Sequence, residues 1–511
     1  MQQLQISIER SPLITKQEFD DIFQGKIVHK LNVPDLPVEL WMEILSYLPR
    51  GFVWKMAGIN RFLFEMGMSE LYEEVRLMDY SGAGLKTFEQ MRHGNITPRV
   101  RRLYVRPTFL PGVDCKGRAV YDGTKTSTGL KRWKREIRKF LDTALTSLTN
   151  CPNLQEVTII VHDQYFTKSL ARFLQKLMKQ VAAGLNGLTI DMTLPSFLRV
   201  YRAFDAKLLS KLSSLTIRIT NSRFPISVRQ ARWTRKALLH LISPLKATLR
   251  SLAFEVIDFS LSKLFQNLQN IPSLQSLELR SEIGFSTLIP TLHFIKFLQR
   301  NADNLQRLVV RRPTVDIPNS WSLEAIIGRL YDLLCSQRLP QLKELSLEVD
   351  HAVILTSLTT HIHTFVPHLR RLTLTGQRST LDYPQLSDLM KSLARCDKGL
   401  EHLKISIKQL SPSHIDLFAN TFPKLKCLEL TYRILWTSLD QVEKLRDTEQ
   451  EASIYNLFRT HTYPQWRLEE LKLMQISACA EGHPDAQLLN AIMEGLPSLR
   501  RVARVRTCEC P

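Results

Sequence analysis

The chain has 511 residues, of which 44% are hydrophobic and 23% charged, a balance typical of core-forming proteins that excludes wholesale disorder. Eight cysteines in so long a chain exclude a disulfide scaffold, and neither a secretory signal nor a membrane-spanning stretch is visible. The net charge is +20, with residues 1–90 at −4 and the remainder at +24, so a weakly acidic N-terminal part precedes a basic body. We expect a soluble protein of the cytoplasm, the nucleus or both, with reduced cysteines.

After an N-terminal extension (residues 1–33), the first predicted elements are three short helices within residues 34–78. Pro37 suits a helix start, and apolar residues at helical spacing form one face of the first helix: Trp41, Ile44, Leu45 and Leu48. Residues 52–59 predict a second helix, and Asn60 is a favoured N-cap for a third. This small module either packs on a neighbour or exposes apolar surface to a partner, and we expect Leu40 to pack inside it.

Residues 34–78 resemble the F-box family. The resemblance is carried by Leu36-Pro37, Glu39-Leu40, Ile44-Leu45, Leu48-Pro49, Ile59-Asn60-Arg61 and Tyr72. The sequence of this segment is most similar to fungal F-box proteins with a degenerate leucine-rich-repeat body. Arg50-Gly51-Phe52 departs from the family pattern. The resemblance implies binding to a Skp-family adaptor, and through it to cullin and RING subunits. By position, the implied adaptor-binding residues are Leu36, Pro37, Ile44, Leu45, Leu48 and Pro49.

A repeat follows the predicted linker (residues 79–99) and covers residues 100–505. The motif L-x-x-L-x-L, with aliphatic substitutions, recurs from Val100-Leu103-Val105 to Leu468-Leu471-Leu473 at a mean interval of about 33 residues. Its alternating apolar positions predict a short strand, and helical apolar patterns lie between copies, as in residues 133–148, 170–181 and 292–298. The predicted fold is therefore α/β, a curved solenoid with a parallel sheet inside and helices outside.

The repeats resemble the leucine-rich-repeat family. That family's asparagine ladder is missing, because Thr220, Glu282 and Gln377 occupy the corresponding positions. A globular α/β domain rich in βαβ units is the alternative, and residues 506–511 are read as a C-terminal tail.

Arginines occupy polar positions on or next to the predicted strands: Arg101, Arg102, Arg218, Arg280, Arg307, Arg311 and Arg371. On the concave side of a solenoid they would suit an acidic or phosphorylated target protein, because guanidinium groups bind oxyanions bidentately. An ordinary solvated basic face is the alternative.

Other motifs are weak. Residues 112–119 nearly match a phosphate-binding loop, Cys508 and Cys510 lie in the tail, and His361 and His363 would share one face of a strand. We therefore predict no catalytic residues, no metal and no cofactor.

The resemblance to F-box proteins with leucine-rich repeats implies a substrate receptor of a cullin-RING (SCF-type) ubiquitin ligase, which is not itself an enzyme. The alternative is a basic leucine-rich-repeat scaffold that binds nucleic acid or chromatin, with the N-terminal module as a solenoid cap. A cap needs a polar outward face, so the exposure of residues 36–49 separates the two hypotheses.

Overall fold

The computed structural model describes residues 36–48, 52–56, 58, 60–78, 82–92, 95–107, 127–161, 168–201, 204, 207–220, 227–256, 261–281, 288–311, 332–348, 352–376, 380–396, 399–435, 458–475 and 486–504. The chain divides into two compact units. The first unit comprises residues 1–106 and 127–155, and the second comprises residues 107–126 and 156–511.

The first unit contains five described helices and a pair of parallel strands. In chain order they are α1 (Val38–Ser46), α2 (Phe52–Lys55), α3 (Arg61–Tyr72), β1 (Glu74–Leu77), α4 (Gly82–Gln90), β2 (Arg102–Val105) and α5 (Ser127–Thr149). Helix α2 is shorter than predicted, β1 lies in the segment predicted to be wholly helical, and α4 lies in the predicted linker. Val75 of β1 lies opposite Leu103 of β2, so the strand pairing starts one repeat before the first copy found in the sequence.

The core of the first unit includes the contact between α4 and α5. The rings of Phe88 and Phe140, both buried, meet edge-to-face with their centroids 5.7 Å apart. The buried hydroxyl of Ser147 donates to the carbonyl oxygen of Phe88 at 2.6 Å. Apolar packing and a satisfied polar group together fix the position of α4.

The second unit alternates strands with helices. Its elements are β3 (Glu156–Val161), α6 (Lys168–Val181), β4 (Gly187–Thr193), α7 (Leu194–Val200), β5 (Ser214–Thr220), α8 (Val228–Ile242), β6 (Ser251–Val256), α9 (Ser262–Asn267), β7 (Ser276–Ser281), α10 (Leu288–Arg300), β8 (Arg307–Arg311), β9 (Glu344–Glu348), α11 (Ala352–Phe365), β10 (Arg371–Thr375), α12 (Tyr383–Leu393), β11 (His402–Leu410), α13 (Pro412–Thr421), β12 (Cys427–Leu435), β13 (Glu470–Gln475), α14 (Ala486–Glu494) and β14 (Arg501–Arg504).

The twelve described strands of this unit, β3 to β14, follow one another in the sheet in chain order, and their pairings are parallel. A doubly wound α/β domain would instead reverse its strand order at a switch point. The solenoid prediction is therefore confirmed over the globular alternative. The middle apolar residues of the motif lie opposite one another and are buried, as in Leu188, Leu215, Leu252, Leu277 and Leu308.

Backbone hydrogen bonds join successive repeats just before their strands, at the opposite end of the strand from the positions of the missing asparagines. The N–H groups of Arg250 and Ser251 both donate to the carbonyl oxygen of Ser213, at 2.8 and 2.9 Å. The same paired bonds recur just before the strands from β5 through to β14. One carbonyl thus accepts from two donors of the next repeat, which satisfies these backbone groups where the chain enters these strands.

The interpretation of His361 and His363 as neighbours on a strand is wrong. Both lie in α11, where Leu358, Ile362 and Phe365 are buried at helical spacing. That apolar pattern has the period of a helix. On a helix, residues two apart do not face each other, so the two imidazoles point in different directions.

Candidate functional site

Helix α1 leaves most of its apolar side chains uncovered. Among its residues Trp41 is buried, whereas Val38, Leu40, Met42 and Ile44 are 52, 45, 49 and 40% exposed. The expectation that Leu40 packs inside the module is wrong, because Trp41 takes the inward position and the adjacent residue is rotated by about 100° around the helix. The helix therefore presents apolar surface.

The exposed side chains of α1 form two flanks on either side of Trp41. Helical spacing places Leu40 next to Ile44 on one flank and Val38 next to Met42 on the other. The polar stripe opposite Trp41 contains the acidic residues of the helix, both exposed: Glu39 and Glu43.

Five of the six residues implied to bind an adaptor are described, and they lie in α1 or next to its ends. Pro37 and Ile44 are exposed, and Leu36, Leu45 and Leu48 are half-buried. Pro49 lies outside the described residues. Their role in binding stays a prediction. Sequence reasoning missed Met42 as an exposed apolar residue, because it lies outside the i, i+3, i+4, i+7 stripe.

Helix α3 is held in place by an N-cap at its first turn and by an ion pair with Arg99. The side chain of Asn60 accepts a hydrogen bond from the N–H of Leu63 at 2.7 Å, which confirms the predicted N-cap. The guanidinium of Arg99 forms an ion pair with Glu65 and donates to the Ser69 hydroxyl at 2.8 Å. These contacts tie α3 to the turn that precedes β2.

The second candidate surface is the polar face of the sheet in the second unit. Arg218 lies 3.3 Å from Glu255, and Arg280 lies 3.0 Å from the same carboxylate. Asp191 is 4.0 Å from Arg218 on its other side. These residues occupy one register position on β4, β5, β6 and β7, so they form a row of alternating charges. This row, the charge ladder, neutralises both arginines.

Two further predicted arginines also have acidic partners. The guanidinium of Arg307 lies 2.8 Å from Glu344 and 3.6 Å from Glu278. In the first unit, Arg102 lies 2.9 Å from Glu73. Half-exposed ion pairs of this kind contribute at most about 1 kcal/mol each to stability, and they leave less charge for a ligand.

The other three predicted target-binding arginines are Arg101, Arg311 and Arg371. Arg101 and Arg371 are exposed, and Arg311 is half-buried beside Arg280. Among the described residues, no carboxylate lies within 4 Å of these three guanidinium groups. Target binding by any of the seven arginines stays a prediction.

Thiol reactivity is suppressed at three of the four cysteines that the structure describes. Burial raises the pKa of Cys151 and Cys335 to about 12, and burial together with a hydrogen bond to Glu470 raises that of Cys427 to about 11. These thiols are protonated at neutral pH, and only a thiolate attacks or binds metal. In the same described part of the chain, no cluster of three metal-binding side chains occurs and no helix is long and apolar enough to cross a membrane.

The loop at residues 112–119 and the tail cysteines Cys508 and Cys510 lie outside the described residues.

No family model matches this chain, and neither does any curated protein. Among solved structures, the chain is similar to one chain of the crystal structure of the Rad7 and Elc1 complex in yeast. The alignment covers 82% of this chain and 98% of that chain, with 14% sequence identity and a TM-score of 0.35. At this identity and TM-score the likeness assigns neither a family nor an activity.

Proposed function

We propose that the chain is a substrate-receptor subunit of a cullin-RING ubiquitin ligase. Helix α1 binds a Skp-family adaptor, and through it the cullin and RING subunits, while the solenoid binds a target protein. The receptor positions its target and carries no catalytic residues of its own. The observation that carries the proposal is the apolar exposure of α1, in a segment that resembles the F-box family.

Burial of α1 in a groove is energetically reasonable. A fully buried aliphatic side chain contributes about 1.5–3 kcal/mol, so covering the exposed half of one contributes about 1 kcal/mol. Two such side chains share the flank of α1 that carries the predicted interface residue Ile44: Leu40 and Ile44. An amphipathic helix that enters a partner's groove uses this kind of contact.

The alternative function, a nucleic-acid scaffold with the N-terminal module as a cap, is less well supported. A cap would turn a polar face outward, whereas α1 exposes apolar side chains. In addition, the arginines of the charge ladder are already paired with Asp191 and Glu255.

The test is co-purification of the full-length chain with a Skp-family adaptor. Ile44→Glu changes a predicted interface residue, and Met42→Glu is the matched control on the other flank. The two side chains are similarly exposed, at 40 and 49%, so both variants should fold. Wild type and Met42→Glu should form a stoichiometric complex, and Ile44→Glu should lose it.

Circular dichroism verifies that each variant is folded. A folded wild-type chain that captures no adaptor overturns the proposal. Loss of binding by both variants would retain the adaptor role but show that both flanks of α1 contact the adaptor.

A further inference from the structure

The segment of the second unit that contains helices α6, α7 and α8 carries unusual positive charge. Residues 168–250 contain 16 Lys and Arg, two Asp and no Glu, a net charge of +14 out of +20 for the chain. Of the two acids, Asp191 lies on β4 in the charge ladder and Asp205 lies outside the described residues. Helices α6, α7 and α8 therefore carry cations and no acid.

Helix α8 separates an apolar inner face from a basic outer stripe. Its buried residues include Leu238, Leu241 and Ile242. The outer stripe is exposed and has the spacing i, i+3, i+4, i+7, i+11: Arg229, Arg232, Trp233, Lys236 and His240.

One aromatic side chain lies among these cations. Trp233 is 46% exposed, and the Lys236 ammonium lies 5.8 Å from its ring centroid. Nearby Arg235 is half-buried, and burial together with the charge of Arg232 lowers its pKa. The cations of α8 thus repel one another.

Helix α6 repeats the arrangement without an exposed aromatic residue. It buries an apolar face around Phe173 and Leu177 and exposes four cations at helical spacing, namely Lys168, Arg172, Lys176 and Lys179. Helix α6 contacts α7, which contacts α8, so these helices form a continuous layer. We name the exposed cations of α6 and α8, together with Trp233, the basic face.

The basic face lacks the charge pairing found on helices α12 and α14 of this unit. On α12, Lys391 lies 3.4 Å from Asp388, and Glu494 of α14 lies 3.3 Å from Arg459. On α6 and α8, by contrast, no described carboxylate lies within 4 Å of a cation. Like charges one turn apart cost a helix a few tenths of a kcal/mol each, and an anionic ligand would remove that cost.

We propose that the basic face binds nucleic acid, with its cations on the phosphates and Trp233 stacked on a base. An exposed aromatic ring among cations suits bases, which every nucleic acid offers and an acidic protein does not. An anionic membrane would favour several apolar side chains beside the cations, and Trp233 is the one large apolar side chain exposed on α6 and α8 where side chains are described. This activity is separate from adaptor binding, because α1 belongs to the first unit.

The test is fluorescence anisotropy with a labelled single-stranded oligonucleotide of mixed sequence, titrated with the full-length chain at 50 and 200 mM salt. The triple variant Arg229→Gln, Arg232→Gln, Lys236→Gln removes three cations of the basic face. Its matched control removes three exposed cations elsewhere in the unit: Arg395→Gln, Lys408→Gln and Lys424→Gln. Both triple variants change the net charge equally.

Wild type should bind with affinity that falls steeply with salt. The salt slope of the basic-face variant should drop by about 2, since each lost phosphate contact on a single strand contributes about 0.7. Trp233→Ala should weaken binding about 5- to 150-fold, which is the range for one lost base stack. The control triple should keep wild-type affinity within about twofold, and every variant should still capture the adaptor if the receptor proposal holds.

Three results would overturn the inference. The first is no binding by wild type, and the second is an equal loss in both triple variants, which would indicate diffuse charge attraction. The third is equal or tighter binding to polyglutamate or to anionic phosphatidylserine vesicles, which would identify an acidic protein or a membrane as the partner. None of these results bears on adaptor capture, so the two proposals fail independently.

Discussion

The buried imidazole of His414 makes the second unit less stable in mild acid. His414 lies on α13 and is 4% exposed, and its Nδ1 is 2.7 Å from the Ser411 hydroxyl oxygen. Its ring meets that of Tyr383 edge-to-face at 5.1 Å. Burial lowers the pKa of His414 from 6.5 to about 4, because the charged imidazolium would lose its hydration.

The sign and size of this change in the free energy of unfolding follow from proton linkage. The unfolded chain takes up this proton near pH 6.5, and the folded chain only near pH 4, so stability is lost as pH falls through that window. Between about pH 7.5 and pH 5, the loss from this group is about 2 kcal/mol. Well above pH 6.5 the group does not affect the free energy of unfolding, because the imidazole is then neutral in both states.

Urea unfolding followed by circular dichroism at both pH values measures this loss of stability. The variant His414→Asn keeps a polar group near Ser411 but cannot titrate, so wild type should lose about 2 kcal/mol relative to the variant on going to pH 5. His361→Asn, at an exposed position of α11, is the matched control for loss of an imidazole. If the difference in the free energy of unfolding between wild type and His414→Asn does not change with pH, that result refutes the argument.

Three further predictions concern stability. Phe265→Ala should cost about 3–5 kcal/mol in chemical unfolding, because this buried ring packs on three other phenylalanines with centroids 5.1–6.3 Å away. Asn60→Ala should cost about 1 kcal/mol through loss of the α3 cap, visible as a lower melting temperature. Gly495→Ala should destabilise the chain, because its Cβ would lie 2.3 Å from the carbonyl oxygen of His461; Gly58→Ala, where the Cβ meets nothing within 4 Å, should not.

The strand order of the solenoid could be predicted because each repeat carries its own signal. Alternating apolar residues after a fixed leucine define a strand wherever they occur, and parallel neighbours follow from the repeat. Strand β1 was missed although Tyr72, Val75 and Leu77 have the spacing of the motif. Tyr72 was assigned to the third helix and to the F-box resemblance, and an aromatic residue in the first position is not one of the aliphatic substitutions used to find the motif.

The charge ladder could also have been predicted from the sequence. Arg218, Glu255 and Arg280 each follow the last apolar residue of their motif, so aligned repeats place them side by side. The prediction placed acidic residues on other strands but did not consider Asp191 and Glu255, which occupy the same position as these arginines. Exposure of Leu40 and Met42 could not be predicted, because periodicity defines a helix face but does not show which neighbours cover it.

The distribution of ion pairs indicates which surface of this protein binds anions. On the strands, Arg218, Arg280 and Arg307 each lie within 4 Å of a carboxylate. On helices α6 and α8 the described cations have no such partner. An arginine that already binds a carboxylate must give up that pair before it binds a ligand, whereas an unpaired cation gives up only water and counterions. Anionic partners should therefore bind the basic face more tightly than the charge ladder, and the strand face should select its target through shape and through its few unpaired groups.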